Sequence, residues 1–347
     1  MLSYLHPATR LDDWAASSKP ENQFDAEPNN QKRQNFSEIA SGLHIPRCGA
    51  SYCTPRRNVG RETNIRKVQE MTTYEIDGGG GLSLSVQEFG NAAGAPILFL
   101  HGLMQCGLSW SNQTSSPLAD RFRLICMDVR GHGMSGRATT AAAYQDSRLF
   151  AEDVAAVITT LGLERPILVG ASYSGLVIND YLSVYGDAKL GGINYVASTV
   201  YFGSDKANAL LGDDLLALVP GLLSNDLAEN ISTTQDFVRL FYAEEPTREV
   251  FETVLAYNMM VPPDVRLALA SRELDGDAVM SAVRCPVLIT HGLKDAIVKP
   301  LMSEAIKSRI PHAEVSLYEE AGHTTYGEDT ERFNRELAAF AAARVPA

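Results

Sequence analysis

The spacing of hydrophobic positions changes at about Met71. Residues 1–70 are rich in Asn, Gln, Ser, Pro and charge and keep no sustained helical or strand period, so they predict a disordered N-terminal extension that cannot offset its ordering entropy by burial. From Met71 onward, short apolar runs alternate with segments at helical spacing. The runs Leu82 to Glu88, Pro96 to Leu100, Arg123 to Asp128, Pro166 to Val169, Ile193 to Ala197, Pro286 to Thr290 and Glu314 to Leu317 predict strands. Most are brief and continuously apolar, which suits strands buried on both faces of a mostly parallel sheet. Leu149, Phe150, Val154, Val157, Ile158 and Leu161 form one helical stripe, and Phe333, Leu337, Phe340 and Ala341 another near the C-terminus. The fold class is therefore α/β, with helices flanking a central sheet in a domain over 71–347. Between about 203 and 283 the alternation gives way to helical periods with no convincing strand, which predicts an inserted helical lid.

Composition narrows the reading little further. With 45% hydrophobic and 21% charged residues, the chain resembles an ordinary globular protein. Its net charge of -12 is uneven: residues 1–70 hold ten Lys/Arg against eight Asp/Glu, leaving the rest near -14. An acidic domain without a basic stripe argues against nucleic acid as a partner. No apolar run approaches the roughly 18 to 20 residues of a membrane span, and no secretory signal pattern opens the chain, so the expected location is the cytoplasm. A transit peptide is disfavoured by Asp12, Asp13, Glu21, Asp25 and Glu27; a start at Met71 is a further alternative. Cys48, Cys53, Cys106, Cys126 and Cys285 are expected as reduced thiols, with no completed metal site. The run Gly78-Gly79-Gly80-Gly81 is expected to be a flexible turn; no Lys-Ser/Thr pair follows it to make a phosphate loop.

The chemistry centres on Gly170-Ala171-Ser172-Tyr173-Ser174-Gly175, directly after an apolar run. Small residues around one Ser between a strand and a helix predict a turn tight enough to project the hydroxyl from the sheet edge, a nucleophile elbow. Ser174 stands where Gly is usual, and is small enough to be tolerated. A serine hydroxyl needs an imidazole to take its proton, and the imidazole needs a carboxylate to orient it. His291-Gly292-Leu293-Lys294-Asp295 places Asp295 beyond one strand, and Ala321-Gly322-His323 places His323 beyond the next. Strand carboxyl ends are where ligands gather in such sheets. Asp205 and Asp277 are the rival acids. His291 is expected to be structural.

Together with His101-Gly102-Leu103-Met104 and the segment Asp128 to Gly136, these motifs occur in an order that resembles the α/β-hydrolase family from Met71 to the C-terminus. The resemblance implies Ser172 as nucleophile, Asp295 as orienting acid and His323 as base, with backbone amides of Leu103 and Tyr173 forming the oxyanion hole. It implies His101 as the anchor of the oxyanion loop and His132 as part of a structural turn. Trp110, Tyr173, Phe241, Tyr257, Met260 and Val298 are expected to line an apolar pocket. The implied enzyme is a cofactor-free and metal-free hydrolase of a carboxylic ester, lactone or related small, apolar or weakly polar acyl substrate. A serine at the elbow disfavours branches whose chemistry needs a carboxylate there. Carbon–carbon bond hydrolases, acyltransferases, lyases and haloperoxidase-like enzymes would keep the same three residues, as would a ligand-sensing receptor or scaffold.

Overall fold

A computed structural model describes residues 71–343, so the expectation for residues 1–70 lies outside the described residues, as do Cys48 and Cys53. Two antiparallel strands open the fold, β1 (Thr72–Asp77) and β2 (Ser83–Gly90), followed by β3 (Pro96–Leu100) and β4 (Arg123–Met127). Then come α1 (Ser147–Thr160), β5 (Ile167–Ala171), α2 (Ser174–Tyr185) and β6 (Gly192–Val196). After a helical segment the chain returns to the sheet with β7 (Val287–Gly292), α3 (Leu301–Arg309), β8 (Glu314–Tyr318) and α4 (Thr330–Ala342). The sheet order is β1-β2-β4-β3-β5-β6-β7-β8. From β4 to β8 all neighbours are parallel, and β1 and β2 form the antiparallel end.

The apolar strands are continuous because each face has its own core. In β3, Leu98 and Leu100 join the larger core with Phe150 and Val154 of α1, while Ile97 and Phe99 face Trp110, Phe333 and Phe340 on the other side. The stripes predicted on α1 and α4 are the faces that cover the sheet, burying Phe150, Val154 and Val157 in one helix and Phe333, Leu337 and Phe340 in the other. Asp146 caps α1 by accepting the Arg148 N–H, satisfying one of the donors that a helix start leaves unpaired.

Three features depart from the sequence pattern. Thr72–Asp77 pairs antiparallel with β2 although its half-exposed, Thr- and acid-containing sequence shows little strand period. At the entry to the 203–283 insertion, whose helices run from Asp205–Ala209 to Asp277–Ala282, Tyr201 and Phe202 pair with Asp275 and Leu274 near its end in a two-residue ribbon. A strand of two residues is too short to display a period. The glycine run is also not a free turn. Gly79 is buried, its N–H donates to Asp153 Oδ1 (2.8 Å), and its carbonyl accepts from Arg130 Nη2 (3.1 Å). Arg130 in turn grips Asp153 through Nε (2.7 Å) and Nη2 (2.6 Å), fixing the run beside α1.

Candidate active site

Ser172 sits between β5 and α2 with φ +53°, a left-handed conformation that costs a non-glycine residue energy and is held only where its surroundings enforce it. The Ser172 N–H donates to the Val196 carbonyl (2.9 Å), and its own carbonyl accepts from Gly175 N and Thr199 N (both 3.0 Å). A Cβ on Gly170, one residue before the end of β5, would stand 2.6 Å from Ile178 Cδ1 and 3.0 Å from the Ser174 carbonyl oxygen, which favours glycine there. Ser174 is more than tolerated: its hydroxyl donates to the His101 carbonyl and ties the elbow to the loop opposite.

That loop is built around His101. Its Nε2 accepts the Val129 N–H (3.0 Å), so the ring proton is on Nδ1, which donates to the Gly102 carbonyl (2.8 Å). Burial holds the His101 imidazole down at about 4, and the His132 ring, 5.2 Å away, down at about 3. His132 donates from Nδ1 to the Arg130 carbonyl (3.0 Å) and belongs to the turn, as expected. Gly102 N–H donates to Gln105 Oε1 (3.1 Å), which fixes the orientation of the Gln105 amide. Among the described residues, neither the Leu103 N–H nor the Tyr173 N–H donates a hydrogen bond.

Asp295 is buried and accepts four N–H groups. Ile297 N (2.8 Å) and Val298 N (2.9 Å) bind Oδ1, while His323 Nδ1 (2.8 Å) and His291 Nε2 (3.0 Å) share Oδ2. Burial opposes ionisation here, but the His323 ring and the hydrogen bonds from both histidines hold the carboxyl well below the usual carboxylate range. The rivals lie elsewhere. Asp205 is exposed, and Asp277 is engaged by Lys206 (2.9 Å), Arg309 (2.7 Å) and the Tyr201 hydroxyl (2.6 Å).

Ser172 and His323 open onto one narrow cavity of about 60 Å³. Leu103, Tyr173, Phe202, Leu211, Leu215, Phe237, Phe241, Ile297 and Val298 supply its apolar wall, and Gln105 and Thr199 add polar atoms. No Lys, Arg, Asp or Glu lines it among the described residues. Of the six residues expected at the pocket, Tyr173, Phe241 and Val298 line this cavity, and the other three do not. Trp110 is packed between Phe99 (4.9 Å) and Tyr326 (4.5 Å) in the core on the opposite face of the sheet. Tyr257 is buried in the larger core, and Met260 packs against that core while its carbonyl accepts from Arg137. Their helical spacing signals burial without saying what they are buried against. Leu211, Leu215 and Phe237 are not separable from the insertion's own core by pattern alone, and Phe202 and Ile297 lie outside the insertion in stretches too short to show a period.

The insertion is anchored at both sides of this cavity. Arg272, fully buried, donates to Asp180 on α2 (2.7 Å), Ser147 (3.0 Å) and the Tyr173 hydroxyl (3.2 Å), and lies 4.4 Å over the Phe150 ring. Burial pushes the Tyr173 hydroxyl up to about 12 against the pull of Arg272, so it remains a phenol. Across the cavity, the Phe241 carbonyl accepts the backbone N–H of His323 (3.0 Å) and Thr324 (3.2 Å). Glu328 completes this junction by accepting from Ala243 N (2.8 Å) and Gly322 N (3.0 Å).

No three His, Cys, Asp or Glu side chains among the described residues cluster as metal ligands, and no helix there is long and apolar enough to cross a membrane. Cys106, Cys126 and Cys285 are buried thiols, with burial pushing Cys106 and Cys285 up to about 12.

Comparison with known proteins adds an independent line. The family model described as the alpha/beta hydrolase fold matches residues 95–330. The crystal structure of esterase RhEst1 from Rhodococcus sp. ECU1013 is similar at 31% identity and TM-score 0.75, over 79% of this chain and 99% of that one. Among curated relatives, AB hydrolase superfamily protein YisY of Bacillus subtilis is 27% identical over 75% of this chain and 95% of its own length. Non-heme chloroperoxidase CPO-A1 of Kitasatospora aureofaciens is 28% identical over 75% and 96%.

Proposed function

Because the chain belongs to the α/β-hydrolase family and is a hydrolase, we propose that it cleaves small carboxylic esters through an acyl-enzyme on Ser172. The observation that carries this reading is one apolar cavity lined by Ser172, His323, Leu103 and Tyr173, with Asp295 bonded behind His323 and the N–H groups of Leu103 and Tyr173 donating no hydrogen bond among the described residues. His323 Nδ1 faces a carboxylate and so carries a proton, leaving Nε2 to accept one from Ser172. Attack by Ser172 Oγ on the ester carbonyl moves that proton to His323. The Leu103 and Tyr173 amides meet the charge that develops on the carbonyl oxygen. His323 then protonates the departing alcohol, and water, deprotonated by the same imidazole, releases the acid. The acid loop and the wall supplied by residues of the 203–283 insertion form the pocket, which makes the insertion a lid over the site.

The narrow cavity and its uncharged wall favour a short, neutral acyl group, lactones included, over a phosphorylated or long-chain one. The similarity to a chloroperoxidase supports a second reading in which the acyl-enzyme is attacked by a nucleophile other than water. Adding an alcohol and measuring ester exchange against hydrolysis separates the two. The primary test is labelling with a fluorophosphonate followed by peptide mass spectrometry. Label on Ser172, together with loss of ester turnover in a folded Ser172→Ala variant, is the expected result; near-normal turnover in that variant would refute the reading.

A further inference from the structure

The acid at this site serves two histidines. His291, at the end of β7, is buried, and its Nε2 lies 3.0 Å from Asp295 Oδ2 and 2.9 Å from the Val298 carbonyl. A carbonyl only accepts, so Nε2 must carry the ring proton. Nδ1 lies 2.6 Å from the Ser303 hydroxyl on α3, which can donate to it. Both ring nitrogens are thereby satisfied, and the one N–H is shared between the Val298 carbonyl and the carboxylate oxygen that also receives His323.

We propose that His291 is a positioning residue that shares the Asp295 carboxylate with His323 and thereby sets the pH range in which His323 works as a base. This rests on the triad reading given above. The groups facing Asp295 are His291 from β7, His323 from the loop after β8, and the backbone N–H of Ile297 and Val298. A carboxylate that receives an additional N–H on the same oxygen has less charge to offer the imidazolium of His323. Removing that N–H leaves Asp295 Oδ2 more charge with which to hold a proton on the base. The same bond keeps Oδ2 turned toward His323 while Oδ1 is held by the loop amides.

The pH dependence of kcat/KM for a small aryl ester tests this on the full chain. His291→Leu removes the donor and is expected to move the acid limb upward by about half a pH unit or more, so that activity lost at neutral pH returns at alkaline pH. His291→Gln, whose amide can donate from nearly the same position, is expected to keep the limb within about 0.2 pH unit of the wild type. A fall in rate at all pH values with an unmoved limb, in a folded His291→Leu protein, would show a merely structural role and overturn the proposal. Should that variant not fold, 15N-histidine NMR of the wild-type protein decides: a His291 ring protonated at Nδ1 alone overturns it, and a proton on Nε2 supports it. Failure of the triad reading looks different, since it would show as wild-type protein unlabelled at Ser172.

Discussion

At the residue scale, the site depends on side chains whose work is to hold backbone amides in place. Gln105 is one, because its Oε1 is the partner of the buried Gly102 N–H, next to the proposed donor Leu103. Gln105→Leu strands that N–H, which costs about 1–3 kcal/mol, and loosens the loop. We expect kcat/KM on small esters to fall about tenfold or more, since losing one oxyanion donor outright costs about 100 to 1000-fold; wild-type kinetics in the variant would remove Gln105 from this role. The proposed nucleophile, acid and base are legible in the sequence because the elbow, the acid loop and the histidine loop each carry a local pattern. The holders are not. Gln105, Ser174 and His291 look like ordinary polar residues, and only the folded geometry shows that Ser174 reaches the His101 carbonyl and His291 the same Asp295 oxygen as His323.

At the element scale, periodicity located most strands of the sheet and the helices α1 and α4, since a strand buried on both faces and an amphipathic helix both leave repeats of several residues. It said less about how the insertion attaches, because that is decided by single long-range contacts such as Arg272 to Asp180. Arg272→Met leaves the Asp180 carboxylate buried without its cation, and such uncompensated charges cost about 3–5 kcal/mol. Unfolding in urea should show that loss, and adding Asp180→Leu to Arg272→Met should recover much of it. A double variant no more stable than Arg272→Met would place the cost elsewhere, for example in the lost stacking on Phe150. Phe150 itself is fully buried between α1 and the sheet, so Phe150→Ala is expected to cost about 3–5 kcal/mol in the same assay.

At the scale of the whole molecule, two buried imidazoles should make the fold sensitive to mild acid. His101 and His132 are held at about 4 and about 3, below the value near 6.5 of an exposed histidine. The unfolded chain therefore binds more protons than the native one across this interval. The stability is fully present above about pH 6.5 and is lost progressively as the pH falls toward the folded values, by about 1.4 kcal/mol per pH unit for each ring. Thermal unfolding between pH 6.5 and 5 should show this slope, and His132→Gln should reduce the contribution of the pair by about half; an unchanged slope would mean that these rings are not its source. The junction at Phe241 has a different kind of consequence, for anyone who would exchange one lid for another to alter selectivity. The carbonyl of Phe241 carries the backbone of His323, and its ring forms part of the cavity wall. A graft that shifts the backbone of residues 241–243 thus moves the hanger of the proposed base along with the wall. Chimeras should keep this stretch paired with Glu328 and vary the cavity through Leu211, Leu215 and Phe237, whose side chains line it from elsewhere in the insertion.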